Sequence, residues 1–334
     1  MPDTTPTRPR PRLLTLPLTV FVAAVAIGVG AWFLFGAQAG GEGERATCAD
    51  LTADKQLQNA LAERHRSDMS CADLGGEMKR AAMADGPDEG HTREQAAAMK
   101  NLILAVDHTM TDSGTPAVEA ALRKPLAEAL ADHEDIAVLL SDPTESTYAR
   151  NGIASRGPWE EDDGYHFSVG ASPLLRVVRA VSEDPEAYAA LRQAQTRWEA
   201  QRLAALPQDA EALRLIVGAR ALGKLDGVAA DVRNGLASED ARNWDTVVFR
   251  QLTGETDPQP DADVDPAGRI EGVWRTTLTK TPEAEREGAL KRQCAVMIAA
   301  GGEKSGGATT TARSQCLDNA AGNASRVTRL LSGK

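Results

Sequence analysis

Between Leu13 and Gly36 the chain runs LLTLPLTVFVAAVAIGVGAWFLFG without a charged side chain, directly after Arg8, Arg10 and Arg12. Coiled as a helix, these 24 residues reach roughly 36 Å, enough to cross a hydrocarbon core of about 30 Å. The run is longer than the apolar core of about 7 to 15 residues in a cleavable signal peptide, so it reads as an uncleaved anchor. Ala37-Gln38-Ala39 supplies the alternative, a secreted effector released by cleavage after Ala39. The basic flank belongs on the cytoplasmic side. The expected layout is a cytoplasmic tail at 1–12, a single transmembrane helix at 13–36, a Gly-rich tether at 37–47, and everything beyond it outside the cell membrane. Ala24, Gly28 and Ala31 form a small-residue face through which two such helices can approach as a homodimer.

Beyond position 36 the chain holds 34 basic and 47 acidic residues, a formal charge of −13. That field excludes nucleic acid as a partner. Cys48, Cys71, Cys294 and Cys316 all follow the anchor, where an oxidising compartment favours disulfides, and none belongs to a C-x-x-C pair of the zinc or thioredoxin type. Four cysteines allow three pairings. Cys48 with Cys71 and Cys294 with Cys316 is preferred because each closes a short loop, worth about 3 kcal/mol by restricting the unfolded chain. A continuous helix across either loop would hold the sulfurs roughly 33 Å apart, so each pair demands a helix, a turn and a return.

Helix signals dominate. Thr92-Arg93-Glu94-Gln95 is a capping box opening a helix over about 93–109. Asp184-Pro185-Glu186 combines an N-cap, a first-turn proline and an acid at the positive end of the dipole. Tyr188, Leu191, Gln195, Trp198 and Leu203 then trace one core-facing stripe and leave Arg192, Glu199 and Arg202 to water. Gly218, Gly223 and Gly227 interrupt a further stripe over 210–236, a cost in helicity that close helix packing would explain. Thr115-Pro116 and Thr281-Pro282 repeat the cap-then-proline start, Pro125 should kink or divide its helix, and a last helix is expected over 309–332. The fold class is therefore all-α: a disulfide-stapled extracytoplasmic helical bundle behind one membrane helix. A helical domain at 48–255, an acidic Pro-rich linker at 256–267 and a C-terminal helical hairpin at 268–334 complete the division. The turn-rich stretch from Gly157 to Phe167 reads as a loop.

No catalytic, cofactor-binding or metal residue is assigned; the site residues are the four cysteines. Asp263, Asp265, Gly268 and Ile270 follow an EF-hand pattern, but Ala267 and Trp274 stand where ligands belong. Glu160 to Asp163 beside His166 offers carboxylates to a cation, although adjacent residues seldom converge on one ion. His133-Glu134 lacks the second His of a zinc pair, with Ala137 in its place, and His65, His91, His108 and His133 read as surface histidines. Glu303 breaks a phosphate-loop pattern at Gly301 to Ser305, and Leu174 breaks a nucleophile elbow at Ser172.

The segments Arg123-Lys124-Pro125-Leu126-Ala127-Glu128 and Leu175-Arg176-Val177-Val178-Arg179 to Glu186-Ala187-Tyr188 resemble helical regions of actinobacterial proteins associated with WXG100, type VII-like secretion. The resemblance covers roughly residues 115–235, implies an all-helical envelope protein, and brings no catalytic residues. This chain departs from it in having its own anchor and a cysteine-bearing C-terminal part. The expected function is a membrane-anchored, non-enzymatic binding or scaffold protein whose partner is an envelope protein or cell-wall component. The alternative is an envelope hydrolase with an acidic-loop site near Glu160 and Glu161.

Overall fold

The computed structural model describes residues 47–86, 89–142, 146–153, 156–207, 209–254, 264–301 and 306–333. The apolar stretch at 13–36, Ala39, the tether at 37–46 and most of the acidic linker lie outside the described residues. Among the described residues, no helix is long and apolar enough to cross a membrane.

The elements run α1 (Cys48–Ala53), α2 (Lys55–Leu61), α3 (Cys71–Ala82), α4 (Arg93–Ser113), α5 (Ala120–Asp132), α6 (Glu134–Leu140) and α7 (Ser146–Asn151). A hairpin of β1 (Trp159–Glu161) and β2 (Gly164–His166) follows. Then come α8 (Ala171–Val181), α9 (Pro185–Ala205), α10 (Ala212–Leu215), α11 (Val217–Asn234), α12 (Ser238–Thr253), α13 (Pro266–Thr279), α14 (Arg286–Lys291), α15 (Gln293–Gly301) and α16 (Gly306–Leu331). Among the described residues, the fold is all-α apart from that hairpin.

Local chemistry explains most starts. Thr47 and Ser70 accept the amides of Asp50 and Asp73, so the twice-occurring Cys-Ala-Asp-Leu marks two similarly capped helices. Thr92 and Gln95 complete a reciprocal capping box at α4, and Asp184 caps α9 ahead of Pro185. Thr115-Pro116 does not open a helix. Gly114, at φ 67°, ends α4, and α5 begins only at Ala120, because Val118 is drawn fully into the core first. Pro125 lies within α5 without dividing it; Gly75 of α3 packs against its ring and the Ala121 carbonyl, which has lost its intrahelical donor.

Both disulfides join the preferred partners. Cys48–Cys71 ties α1 to α3 with Cα atoms 5.5 Å apart, and Cys294–Cys316 ties α15 to α16 at 6.2 Å. Each bridge spans a chain reversal, as helix length requires.

α9 lies at the centre, packed by α5, α11, α12 and α13. Being enclosed on several sides, it buries residues on the arc expected to face water. Arg192 is 0% exposed and Glu199 1%, while Trp198, expected inside, is only partly buried. Every guanidinium nitrogen of Arg192 has a partner. Its guanidinium reaches Asp226 Oδ1 at 2.5 Å, Tyr188 Oη at 2.9 Å, Gln293 Oε1 at 3.0 Å and the Leu290 carbonyl at 3.1 Å. One side chain thus links α9, α11 and α14–α15. Glu199 is held by both arms of Arg202, at 2.7 and 2.6 Å. Burial still pushes its carboxyl upward, against that ion pair.

The glycines of α11 form its contact face. A Cβ on Gly223 would lie 2.2 Å from the Ala320 carbonyl oxygen, and one on Gly227 2.6 Å from that of Ala324, both on α16. On Gly218 it would strike the Glu199 carboxylate. α11 and α16 therefore pack backbone against backbone.

Candidate functional site

A single residue, His133, separates α5 from α6. Its extended backbone, at φ −88° and ψ 118°, turns the chain and sends the ring inward, where it is 2% exposed. The expectation of a surface histidine is corrected here. The ring stacks on His91 with centroids 3.7 Å apart and meets the edge of Phe167 at 5.2 Å. Nε2 lies 2.9 Å from the Ala82 carbonyl oxygen. A carbonyl only accepts, so Nε2 carries the proton and Nδ1 presents its lone pair. Burial, reinforced by His91, pushes the His133 pKa down to about 3 and keeps the ring neutral. Its Nδ1 has no partner among the described residues.

Gln195 approaches from α9. It belongs to the core stripe expected there and is 2% exposed, yet neither its Nε2 nor its Oε1 has a partner among the described residues. Buried amides are nearly always paired, and leaving one unpaired costs about 1–3 kcal/mol. Gln195 and His133 both line a cleft of about 130 Å³ between α5–α6 and α9, walled by Leu130, Ile136, Leu140, Leu191 and Ala194. Trp198 stands at its edge and donates from Nε1 to Glu134 Oε1 at 2.8 Å. Asp132 also borders the cleft but is engaged elsewhere, accepting from His91 Nε2 at 3.0 Å and the Ala84 amide at 2.9 Å. Burial raises the Asp132 carboxyl, but those two hydrogen bonds outweigh it and leave the pKa lowered. Among the described residues that line the cleft, the buried polar atoms without a partner are thus the Gln195 amide nitrogen, with two N–H donors, the Gln195 amide oxygen and the His133 imidazole Nδ1.

The stretch from Gly157 to Phe167 is an antiparallel hairpin, with Trp159 opposite His166 and Glu160 opposite Tyr165. Gly90 allows it to seat, since a Cβ there would lie 2.1 Å from the Asp163 carbonyl oxygen. The buried Lys100 ammonium braces the approach by donating to the carbonyls of Asn151, Ile153 and Arg156. Beneath the hairpin, Asp135 accepts from Tyr148 Oη at 2.7 Å, His166 Nδ1 at 3.0 Å and the Phe167 amide at 3.2 Å.

Glu160 accepts from Tyr165 Oη at 3.0 Å and Glu161 from Trp159 Nε1 at 2.7 Å; both are exposed and neither lines the cleft. Glu161, Asp163 and His166 bring possible metal-ligand atoms within 4.8 Å of one another. However, His166 donates from both nitrogens, to Asp135 at 3.0 Å and Asp163 at 2.9 Å. The Asp135 bond above all lifts its pKa to about 9, so near neutrality an imidazolium holds these carboxylates and presents no lone pair to a metal. Asp265 caps α13, and the positions from Pro266 to Trp274 are helical, so the EF-hand-like pattern is no ion loop. Asp263 and residues 302–305 of the phosphate-loop pattern lie outside the described residues. The helix break at His133 and a glutamine within an apolar stripe were the available signals for the cleft.

Two histidines make stability pH-dependent in opposite directions. The His133 contribution is complete above its unfolded pKa of about 6.5 and is lost as pH falls toward 3. The His166 contribution is complete below about 6.5 and is lost as pH rises through about 9. Between pH 6 and 4, His133 should remove about 1.4 kcal/mol per pH unit. His133→Gln keeps a donor for Ala82, so its urea midpoint should fall less steeply with acid than that of wild type. Parallel curves would contradict a neutral, buried His133.

Comparison of the chain with protein-family models, with curated proteins and with solved structures found no significant match.

Proposed function

We propose that this chain is a non-enzymatic binding module held at the outer face of a bacterial cell envelope by residues 13–36, with the cleft between α5–α6 and α9 as its binding site. The observation that carries the binding assignment is Gln195, which lines that cleft and whose buried amide has neither polar atom partnered among the described residues. The chemistry supports holding a ligand over transforming one. An amide does not titrate, and a histidine whose pKa is depressed to about 3 is a poor proton carrier near neutrality. The two disulfides support an oxidising compartment, and the charge-free stretch behind three arginines supports the anchor. The resemblance over 115–235 makes secretion-associated envelope proteins the first partners to try, alongside cell-wall components.

Topology can be tested in cells expressing the full chain. Cys48, Cys294 and Cys316 are buried, so Val264, 83% exposed, is the better position for a reporter. Val264→Cys should react with a membrane-impermeant maleimide on intact cells. Reaction only after lysis would sink the outward orientation. Mass analysis should find the N-terminus upstream of Leu13, whereas a mature chain beginning after Ala39 would replace the anchor with release.

A further inference from the structure

We propose that the polar cavity between the end of α6, α11 and α16 binds a phosphate group, either as the free ion or on a small organic ligand. No residue that lines it also lines the Gln195 cleft, so it is a second site.

The cavity measures about 390 Å³ and is lined by Asp142 after α6, Arg220 of α11, and Asp318, Asn319, Asn323 and Arg326 of α16. Its charges do not balance. Lys224, 5% exposed, donates to Asp142 Oδ1, and that pair cancels. Burial lowers the Lys224 pKa, and the charges of Arg220 and Arg326 add to that against the Asp142 bond, so both guanidinium groups lie near one buried ammonium. Among the described residues, neither arginine has a carboxylate within ion-pair distance. Their one hydrogen bond runs from Arg220 Nη1 to the Asp142 carbonyl at 3.5 Å, the long limit for such a bond. Two positive charges are left over. Asp318 offsets them only in part, because it is exposed and water screens it. A phosphate dianion matches two guanidinium groups in charge, and each planar fork can bond two of its oxygens. A monocarboxylate would leave one arginine uncompensated. A metal cation would meet two arginines and an aspartate already held by lysine. Asn319 and Asn323 each give one Nδ2–H to a carbonyl one turn back along α16, at 2.8 Å, and each nitrogen carries a second N–H to donate. Gly322 keeps the space open, since a Cβ there would meet nothing within 4 Å. The whole chain carries −11, so the site is a local positive spot on an acidic protein, which suits a small anion over a long polyanion.

Phosphorus NMR titration of the full chain in a phosphate-free detergent tests this at low salt near pH 8, where inorganic phosphate is mostly a dianion. Inorganic phosphate should bind with a Kd on the order of 1 mM, and at least tenfold more weakly to Arg326→Gln and to Arg220→Gln. Arg326 is exposed, so its replacement should leave the urea midpoint unchanged. Arg313→Gln removes the same charge from an exposed position of α16 outside the cavity and should bind phosphate as wild type does. Acetate should displace phosphate only at concentrations at least tenfold above the phosphate Kd. Glycerol 3-phosphate binding at least tenfold more tightly than inorganic phosphate would assign the group to an organic ligand that fills the remaining volume. Equal or weaker binding would assign the site to the free ion. Acetate competing as well as phosphate would overturn the phosphate assignment. A loss in Arg313→Gln as large as in Arg326→Gln would reduce the effect to overall charge and overturn the site, as would the absence of binding to wild type.

Discussion

Arg192→Met is expected to lower the unfolding free energy by about 3–5 kcal/mol, read as a drop in urea midpoint for the full chain in detergent. Methionine keeps much of the volume, so the loss is not chiefly a cavity. It comes from what remains: the largely buried Asp226 carboxylate without its cation, the Gln293 oxygen without its donor, and the Leu290 carbonyl and Tyr188 Oη without the arginine. Adding Asp226→Leu should recover part of the loss, since replacing a whole buried pair is far less costly than breaking it. A change below 1 kcal/mol for Arg192→Met alone would mean that the network is not closed as described.

Gly223→Ala is the second large effect. The new methyl would meet Ala320 backbone atoms at 2.2, 2.6 and 2.8 Å, and no side chain can rotate away to relieve it. α11 and α16 must separate, and we expect a net loss of about 2–3 kcal/mol even after the roughly 1 kcal/mol that alanine returns in helix propensity. Gly322→Ala on α16 is the matched control. Nothing lies within 4 Å of its Cβ position, so propensity acts alone and should stabilise by about 1 kcal/mol. Thermal denaturation of the two variants should move Tm in opposite directions. A shift in the same direction would remove the backbone contact as the reason for the glycine.

What could be read from the residues was what depends on near neighbours. Thr92, Asp184, Ser70 and Thr47 cap helices through amides two or three positions away, and loop length favoured the cysteine pairs that form. Glycines in α11 signalled close packing through a cost that only a tight neighbour offsets. Helical periodicity sorts residues by polarity and so places Arg192 and Glu199 in solvent, whereas partners such as Gln293, 101 residues from Arg192, leave no local trace. The strands at Trp159–Glu161 and Gly164–His166 are too short for an alternating pattern to register. Within the cleft, the place of Gln195 in the core stripe was readable. The unpaired amide was not, because it depends on what α5 and α6 fail to supply.

The pairing of α11 with α16 also sets an order of assembly as the chain emerges from its N-terminus. Cys48 and Cys71 can meet once the first three described helices are out, and their loop closes long before the rest exists. The glycine face of α11 must wait for α16, leaving Gly223 and Gly227 uncovered until residues 306–331 have emerged. Truncation just before residue 306 therefore removes the cover of that glycine face rather than a dispensable tail.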